Sequence, residues 1–183
     1  MSGAVNKDFY IPNYFFSAIC ELVEEKPQLL DDLKIIFAGA IKDDLEYFFE
    51  LPIISKIVEK VGYVEHRISI KYLINSDILL FFMNTKPGSN RILTGKIFEY
   101  LAARKPIIAL VSDGEITRLI KEANAGVIVE PEDISAIKSS ILSMYSSYKD
   151  GSLVFNGDDN MINGYERKKL TMQLAQVFDE IVH

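Results

Sequence analysis

The chain alternates between short runs of consecutive apolar residues and longer segments in which apolar residues recur every three or four positions. Three runs have strand length and no polar alternation: DILLFFM (77–83), PIIALV (106–111) and GVIV (126–129). Strands that are apolar on both sides are typical of a parallel sheet covered by helices. The runs KIIFAG (34–39) and IVEKVGYV (57–64) bring the number of predicted strands to about five.

The segments between these runs have helical periodicity. Strands that alternate with helices indicate an α/β protein, and we predict a three-layer, Rossmann-like parallel sheet of about five or six strands in a single domain, residues 1–183. Residues 149–162 are rich in turn formers and predict a loop. Helices are predicted over residues 13–26, 43–50, 67–76, 94–105, 112–125, 130–148 and 166–182.

Composition and charge narrow the function classes. The chain has 183 residues, of which 49% are hydrophobic and 25% charged, as expected for a globular protein with one core. Its net charge of −6 argues against nucleic acid or an anionic membrane as a partner. No apolar run approaches the roughly 20 residues of a membrane span. Cys20, the single cysteine, cannot form an internal disulfide, so we expect a structural thiol and a cytoplasmic location.

A ligand of an open parallel sheet is expected at the carboxyl ends of the strands. After the third strand, the polar loop 84–93 leads into a helix that begins with Thr94, Gly95 and Lys96. The start of a helix offers free N–H groups and a partial positive charge, Gly95 allows close approach to the backbone, and Lys96 adds a formal charge. These residues predict a phosphate-binding turn. The Walker A spacing and the G-x-G-x-x-G fingerprint are both absent from it.

Polar residues near this turn leave several interpretations open. Glu99 lies one turn into the helix and is either an ordinary solvated residue or a carboxylate that accepts hydrogen bonds from vicinal hydroxyls. His66 follows the second strand and is either a ligand or a polar helix start. Asp113, Gly114 and Glu115 follow the fourth strand and form either a ligand loop or a helix cap. No pair of histidines or cysteines has the spacing of metal ligands, so no metal site is predicted.

Four stretches together resemble a known family. They are VGYVEHR (61–67), NSDILLFF (75–82), TGKIFEYLAARKPIIAL (94–110) and NAGVIVEPEDISAI (124–137). They are similar to the C-terminal, donor-binding half of GT-B fold glycosyltransferases, and most like the retaining group called family four. The resemblance implies a lobe that binds a nucleotide-diphosphate sugar (NDP-sugar), in an enzyme that transfers the sugar from this donor to an acceptor.

The resemblance also implies roles for particular residues. The family's motif of two glutamates separated by seven residues places its second glutamate, a ligand of the ribose hydroxyls, at Glu99. Backbone amides of the same turn, here Gly95 and Lys96 after Thr94, hold the diphosphate. The base lies against the loop after the second strand, here Tyr63 and Val64. The loop at Gly114 approaches the sugar, and members of the family generally need no metal for donor binding, so no cofactor is implied.

The sequence departs from the family pattern at several points. Arg91 stands where the first glutamate of the motif contacts the donor sugar, so Arg91 becomes the candidate sugar contact. The basic pair expected near the start of the domain is reduced to Lys7, and the strand before the first helix is missing. We expect the N-terminal acceptor domain to be absent from this chain and the lobe to be inactive alone, so that the chain is either a fragment of a longer enzyme or acts with a separate acceptor domain.

Two alternatives remain at this point. The chain is an enzyme lobe, or it keeps the fold as a non-catalytic nucleotide-binding or protein-interaction module, which the departures favour. Nucleotide-sugar epimerases of the same two-lobe fold are a third class, but the EYLAARKP stretch (99–106) favours a transferase.

Overall fold

The computed structural model describes residues 11–40, 46–83, 88 and 91–182. Lys7 and most of the loop 84–93 therefore lie outside the described residues. The described chain alternates helices and parallel strands, which confirms the α/β class. The elements are α1 (Ile11–Glu25), α2 (Leu29–Asp32), β1 (Ile35–Ala38), α3 (Glu46–Phe49), α4 (Ile54–Ile57), β2 (Val58–Gly62), α5 (His66–Asn75), β3 (Leu79–Phe82), α6 (Gly95–Ala102), β4 (Ile107–Leu110), α7 (Glu115–Glu122), β5 (Gly126–Val129), α8 (Ile134–Lys149), α9 (Asp159–Gly164) and α10 (Arg167–Val182).

The strands form two parallel sheets in the described part of the chain. β1 pairs with β2, with Ile35 opposite Val58, and β3, β4 and β5 pair in that order, with Ile107 between Leu79 and Gly126. These sheets are smaller than the predicted single sheet of about five or six strands. The usual doubly wound order places a further strand between the positions of β1 and β3.

The core has a layer of helices on each side of the sheet, as the unbroken apolar runs predict. All four residues of β4 are buried. Ile108 and Leu110 belong to a cluster with residues of α1 and α8, whereas Ile107 and Ala109 belong to a cluster with residues of α6 and α7. Alternate side chains of a strand point to opposite faces, so this division gives the three-layer arrangement.

α1 confirms the helical stripe seen in the sequence. Its apolar positions are almost fully buried, and the helix ends before Pro27, as the periodicity indicates. Cys20 is half-buried, and burial first and nearby Glu24 second raise the pKa of its thiol. A raised pKa keeps the thiol protonated, which fits a structural role. The stripe consists of Phe15, Phe16, Ile19, Leu22 and Val23.

The predicted loop 149–162 overlaps α9, which the periodicity did not reveal. Local polar contacts stabilise this short helix. The carboxylate of Asp158 accepts hydrogen bonds from the N–H groups of Asn160 and Met161, and Arg104 donates to Asp159 at 2.5 Å and to Asn163 at 2.6 Å. Because these contacts are polar, they produce no periodic pattern of apolar residues in the sequence, and α9 could not be predicted from periodicity. None of the described helices is long and apolar enough to cross a membrane.

Candidate functional site

The carboxyl ends of β2 and β3 bring together two polar side chains that lie 33 residues apart in sequence. His66 is the first residue of α5, and its Nε2 lies 2.9 Å from Oε1 of Glu99 in α6. The side chain of Glu99 is 35% exposed and that of His66 is 72% exposed. The carboxylate therefore reaches solvent at the sheet edge where ligands of this fold bind.

The end of β2 is shaped by a glycine with left-handed backbone. Gly62 has φ of 75° and accepts a 2.7 Å hydrogen bond from the N–H of Gly39, which follows β1. A side chain at this φ would be strained, so glycine is favoured there. The chain then turns outward, leaving Tyr63 87% exposed and Val64 half-buried. Tyr63 thus offers an aromatic surface beside the start of α5.

The start of α6 forms an open, partly desolvated turn. The first N–H groups of any α-helix have no partner within the helix, and a Cβ built on Gly95 meets no atom within 4 Å. Thr94 precedes the helix in extended conformation, and its side chain does not cap it. The Thr94 Oγ1 atom is buried and has no hydrogen-bond partner in the described chain. An orphaned hydroxyl beside free N–H groups suits a ligand that accepts hydrogen bonds.

Lys96 adds a positive charge that is largely withdrawn from water. Burial lowers the pKa of its ammonium group below the ordinary value, and the nearby Glu99 carboxylate partly opposes this effect. A partly desolvated ammonium group interacts with an anion more strongly than one in bulk water. We call Thr94, Gly95, Lys96 and Glu99 the α6 site; it combines hydrogen-bond donors, a cation and one carboxylate.

Arg91 and Gly114 are not joined to the α6 site by any hydrogen bond between described residues. Arg91 is exposed, and its N–H donates to the carbonyl of Gly88 at 3.2 Å. Gly114 precedes α7 in extended conformation, and Glu115 in the first turn accepts from Arg118 at 2.7 Å. The Gly114–Glu115 pair therefore acts as a helix start, and its approach to a sugar stays a prediction.

His66 is the partner that sequence reasoning did not connect to Glu99. Its place directly after β2 is visible in the sequence, because the carboxyl end of a strand is a ligand edge. The contact with Glu99 depends on how β2 and β3 are placed in the sheet, which spacing along the chain does not reveal. Among the described residues, no group of three or more His, Cys, Asp and Glu side chains is placed to hold a metal ion.

Two cavities of about 350 Å³ each lie at the opposite edge of the sheet. One is lined by segments that precede β1 and β3 and by Tyr145 of α8, and the other by Asp77, Lys105 and Phe155. Neither includes a residue of the α6 site. The strand-end rule and the orphaned donors both favour the α6 site over these cavities.

Comparison with known proteins gives the family and the fold. Residues 9–147 match the family described as Glycosyl transferases group 1. HepE from Anabaena, solved with UDP, is 13% identical with a TM-score of 0.72 over 98% of this chain and 48% of its own. Sucrose-phosphate synthase from Thermosynechococcus elongatus is 13% identical, with a TM-score of 0.68 over 99% of this chain and 45% of its own.

A third structure, the pneumococcal O-GlcNAc transferase GtfA, is 15% identical, with a TM-score of 0.65 over 100% of this chain and 35% of its own. This chain thus spans half or less of the length of these structures. No curated protein is a significant match in sequence. The similarity confirms the predicted resemblance to one lobe of a GT-B glycosyltransferase. Because the family match extends over most of the sequence, the chain belongs to the Glycosyl transferases group 1 family.

Proposed function

We propose that this chain is the NDP-sugar-binding lobe of a glycosyltransferase, which transfers the sugar from that donor to an acceptor. The observation that carries the proposal is the α6 site. There an open glycine turn, an orphaned threonine hydroxyl and a partly desolvated lysine lie one helical turn from a solvent-accessible carboxylate. Membership of the family supports the same reaction.

The start of α6 is suited to the diphosphate. The N–H groups of Gly95 and Lys96 and the Thr94 hydroxyl donate to phosphate oxygens, and the ammonium group of Lys96 neutralises part of the charge. These donors are fixed before the ligand arrives, so they stabilise the negative charge that develops on the leaving diphosphate. The same donors supply positive charge without a metal or another cofactor, and we propose that donor binding needs neither.

Glu99 is suited to the nucleoside. Its Oε1 is held by His66 at 2.9 Å, which leaves the second carboxylate oxygen to accept from the ribose hydroxyls. Tyr63 and Val64 lie at the end of β2 next to His66, where a planar base can rest against the exposed ring. HepE has been solved with UDP and with UDP-glucose, which supports a nucleotide donor of this kind.

The sugar end of the donor is assigned to Arg91 and Gly114. Arg91 brings hydrogen-bond donors where the family pattern has an acceptor carboxylate, so it can bind sugar hydroxyl oxygens but cannot act as the missing acid. Retention of configuration is proposed from family membership alone. Because the chain spans half or less of its structural relatives, we propose that transfer requires a separate acceptor-binding domain. The single cysteine, which cannot form an internal disulfide, supports a cytoplasmic location for this reaction.

A second candidate function is a nucleotide-binding or protein-interaction module without catalysis. The replacement of the first motif glutamate by Arg91 favours this reading, because the acid that contacts the donor sugar is gone. The enzyme lobe and a nucleotide-binding module share nucleotide binding at the α6 site, and they differ in whether the nucleoside diphosphate is released from the NDP-sugar during turnover. A protein-interaction module does not require nucleotide binding.

Calorimetric titration of the chain with UDP, GDP and UDP-glucose tests the shared step. We expect one of these to bind, and Glu99→Ala to weaken binding at least about tenfold, because a hydrogen bond to a charged group contributes about 1.5–3 kcal/mol. The matched control is Glu122→Ala, which removes an exposed carboxylate at the far end of α7. Equal affinity in both variants, or no binding of any nucleotide, would contradict the proposal.

A further inference from the structure

The Glu99 carboxylate has two possible partners in the folded chain. At the sheet edge, Nε2 of His66 lies 2.9 Å from its Oε1 atom. On the same helix, Lys96 lies three residues earlier, and side chains at this spacing are neighbours on a helix surface. The carboxylate is near enough to Lys96 to act on the pKa of the ammonium group. The choice between these two partners therefore decides which groups of the α6 site stay free for a ligand.

Glu99 is paired with His66 and not with Lys96. Among the described residues, no ion pair joins the ammonium group of Lys96 to a carboxylate, although Glu99 is within reach along the helix. The same spacing does give an ion pair in α7, where Nη2 of Arg118 lies 2.7 Å from Oε2 of Glu115. The contact with His66 thus accompanies a separation of the two opposite charges of the α6 site.

His66 is held at a fixed point on the neighbouring helix. It is the first residue of α5, and the N–H groups of Ile68 and Ser69 fix the start of that helix by donating to the carbonyl of Glu65 at 2.9 and 3.0 Å. A carboxylate only accepts hydrogen bonds, so Nε2 of His66 carries the donated hydrogen. The imidazole can therefore hold Oε1 of Glu99 in one place.

We propose that His66 is a positioning residue that keeps Glu99 apart from Lys96, so that the carboxylate and the ammonium group can bind different parts of a nucleoside diphosphate. The ligand named here rests on the proposed function. With His66 in place, the second oxygen of Glu99 is available to the ribose hydroxyls and Lys96 is available to phosphate. Without His66, the two opposite charges attract each other along the helix and neutralise the site.

A purely structural role explains the contact less well. The His66 side chain is 72% exposed, and ion pairs at exposed sites contribute little to stability. The two helices are already joined by buried side chains, since Leu73 of α5 and Ile97 of α6 belong to the same apolar cluster. Alanine and glutamine are both good helix formers. We therefore expect circular dichroism of His66→Ala and His66→Gln to match the parent.

The separation is tested first without any ligand, by NMR titration of the Lys96 side chain in the isotope-labelled chain. In the parent, burial keeps the pKa of Lys96 below its ordinary value. We expect His66→Ala to raise this pKa, because the released carboxylate moves to the ammonium group and stabilises its charged form. His66→Gln should leave it unchanged, because the glutamine amide keeps a hydrogen-bond donor for Oε1.

A second background separates positioning from a loosened structure. A helix start that merely loosens without His66 would hydrate Lys96 and raise its pKa whether or not a carboxylate is present. In a chain that already carries Glu99→Ala, we therefore expect the further change His66→Ala to leave the pKa of Lys96 where it is. An equal rise in both backgrounds, or no rise with His66→Ala alone, overturns the proposal.

Nucleotide binding measures the consequence for the ligand. In calorimetry, we expect His66→Ala to weaken the binding of UDP or GDP at least about tenfold, since ribose and phosphate contacts both suffer, and His66→Gln to stay within about threefold of the parent.

The positioning role and the nucleotide site can fail separately. A parent chain that binds no nucleotide but shows the expected changes in the pKa of Lys96 contradicts the nucleotide site and supports the positioning role. A chain that binds a nucleotide equally well with and without His66 overturns the positioning role and leaves the nucleotide site in place.

Discussion

Lys96 carries a positive charge whose burial in the folded protein is unfavourable. Burial lowers the pKa of its ammonium group, and Glu99 three residues later offsets only part of this effect. A charged group kept partly out of water is destabilising until an anion arrives. This makes Lys96 the residue at which stability and binding are expected to oppose each other.

Replacing Lys96 by methionine tests that opposition. At neutral pH we expect the free energy of unfolding to rise by about 1 kcal/mol, because the desolvated charge is removed and the apolar stem is kept. Nucleotide affinity should fall about tenfold or more with the loss of a charge-assisted contact to phosphate. Urea denaturation and calorimetry measure the two effects, and Lys121→Met on the exposed side of α7 is the control.

The pH dependence of this stability difference has a definite sign. A lysine whose pKa is lowered in the folded state destabilises the protein below that pKa, and the penalty disappears above the ordinary lysine value. The advantage of Lys96→Met should therefore shrink as the pH rises toward that value. An advantage that grows with pH, or a variant that is both less stable and equally able to bind, would contradict this account of Lys96.

At the residue scale, the sequence allowed candidate residues to be selected by type, but it did not reveal their burial or their contacts with distant side chains. Thr94, Gly95 and Lys96 could be selected because a helix start after a buried strand is a known anion site. Glu99 was selected only through the resemblance to the family's glutamate motif. The lowered pKa of Lys96 and the orphaned Thr94 hydroxyl depend on burial, which comes from packing between distant segments. The Glu99–His66 contact is of the same kind, because it joins two crossovers of the sheet.

α6 is the element on which the proposed function depends. It begins with glycine, although glycine at a helical position costs about 0.5–1 kcal/mol relative to alanine. Space in front of Gly95 is open, so the neighbouring atoms do not demand a glycine there. A ligand lying against the backbone gives a reason for the missing side chain.

Gly95→Ala separates these two roles of the position. We expect the free energy of unfolding to rise by about 0.5–1 kcal/mol, since alanine restricts the unfolded chain and meets no atom in the folded one. Nucleotide affinity should fall because the added methyl group occupies the space of the diphosphate. Thermal unfolding without ligand and calorimetry with UDP measure the two effects. Unchanged affinity in a stabilised variant would remove the diphosphate from this turn.

At the element scale, the predicted elements with strong periodicity were found, and short elements held by polar contacts were missed. β4 follows from an unbroken apolar run, since a strand buried on both faces tolerates such composition. β5 has the same kind of run, but Gly126 and Val127 are exposed and only Val129 is buried, so its apolar composition does not reflect burial on both faces. α9 overlaps a segment that sequence reasoning assigned to a loop, because its stability comes from Asp158 and from Arg104 more than 50 residues away. Neither of these two contacts gives rise to a periodic pattern in the sequence.

At the scale of the whole molecule, the chain spans half or less of the length of structures with the same fold. The described strands form two sheets, with β1 in one and β3 in the other. Whether β1 and β3 belong to one sheet could not be decided from composition, because strand pairing joins segments that are distant along the chain. Whether the α6 site binds a nucleotide in this chain alone therefore depends on its local geometry.

The most direct test follows the backbone amides of the ¹⁵N-labelled chain by NMR during titration with UDP. The account predicts the largest chemical-shift changes at Gly95, Lys96 and Ile97, with smaller changes at Tyr63 and His66, and their loss in Glu99→Ala. Changes confined to Asp77, Lys105 and Tyr148 would place the ligand in the cavities at the opposite edge. That result, or a spectrum that does not change with UDP or GDP, would contradict the assignment of the nucleotide to the α6 site.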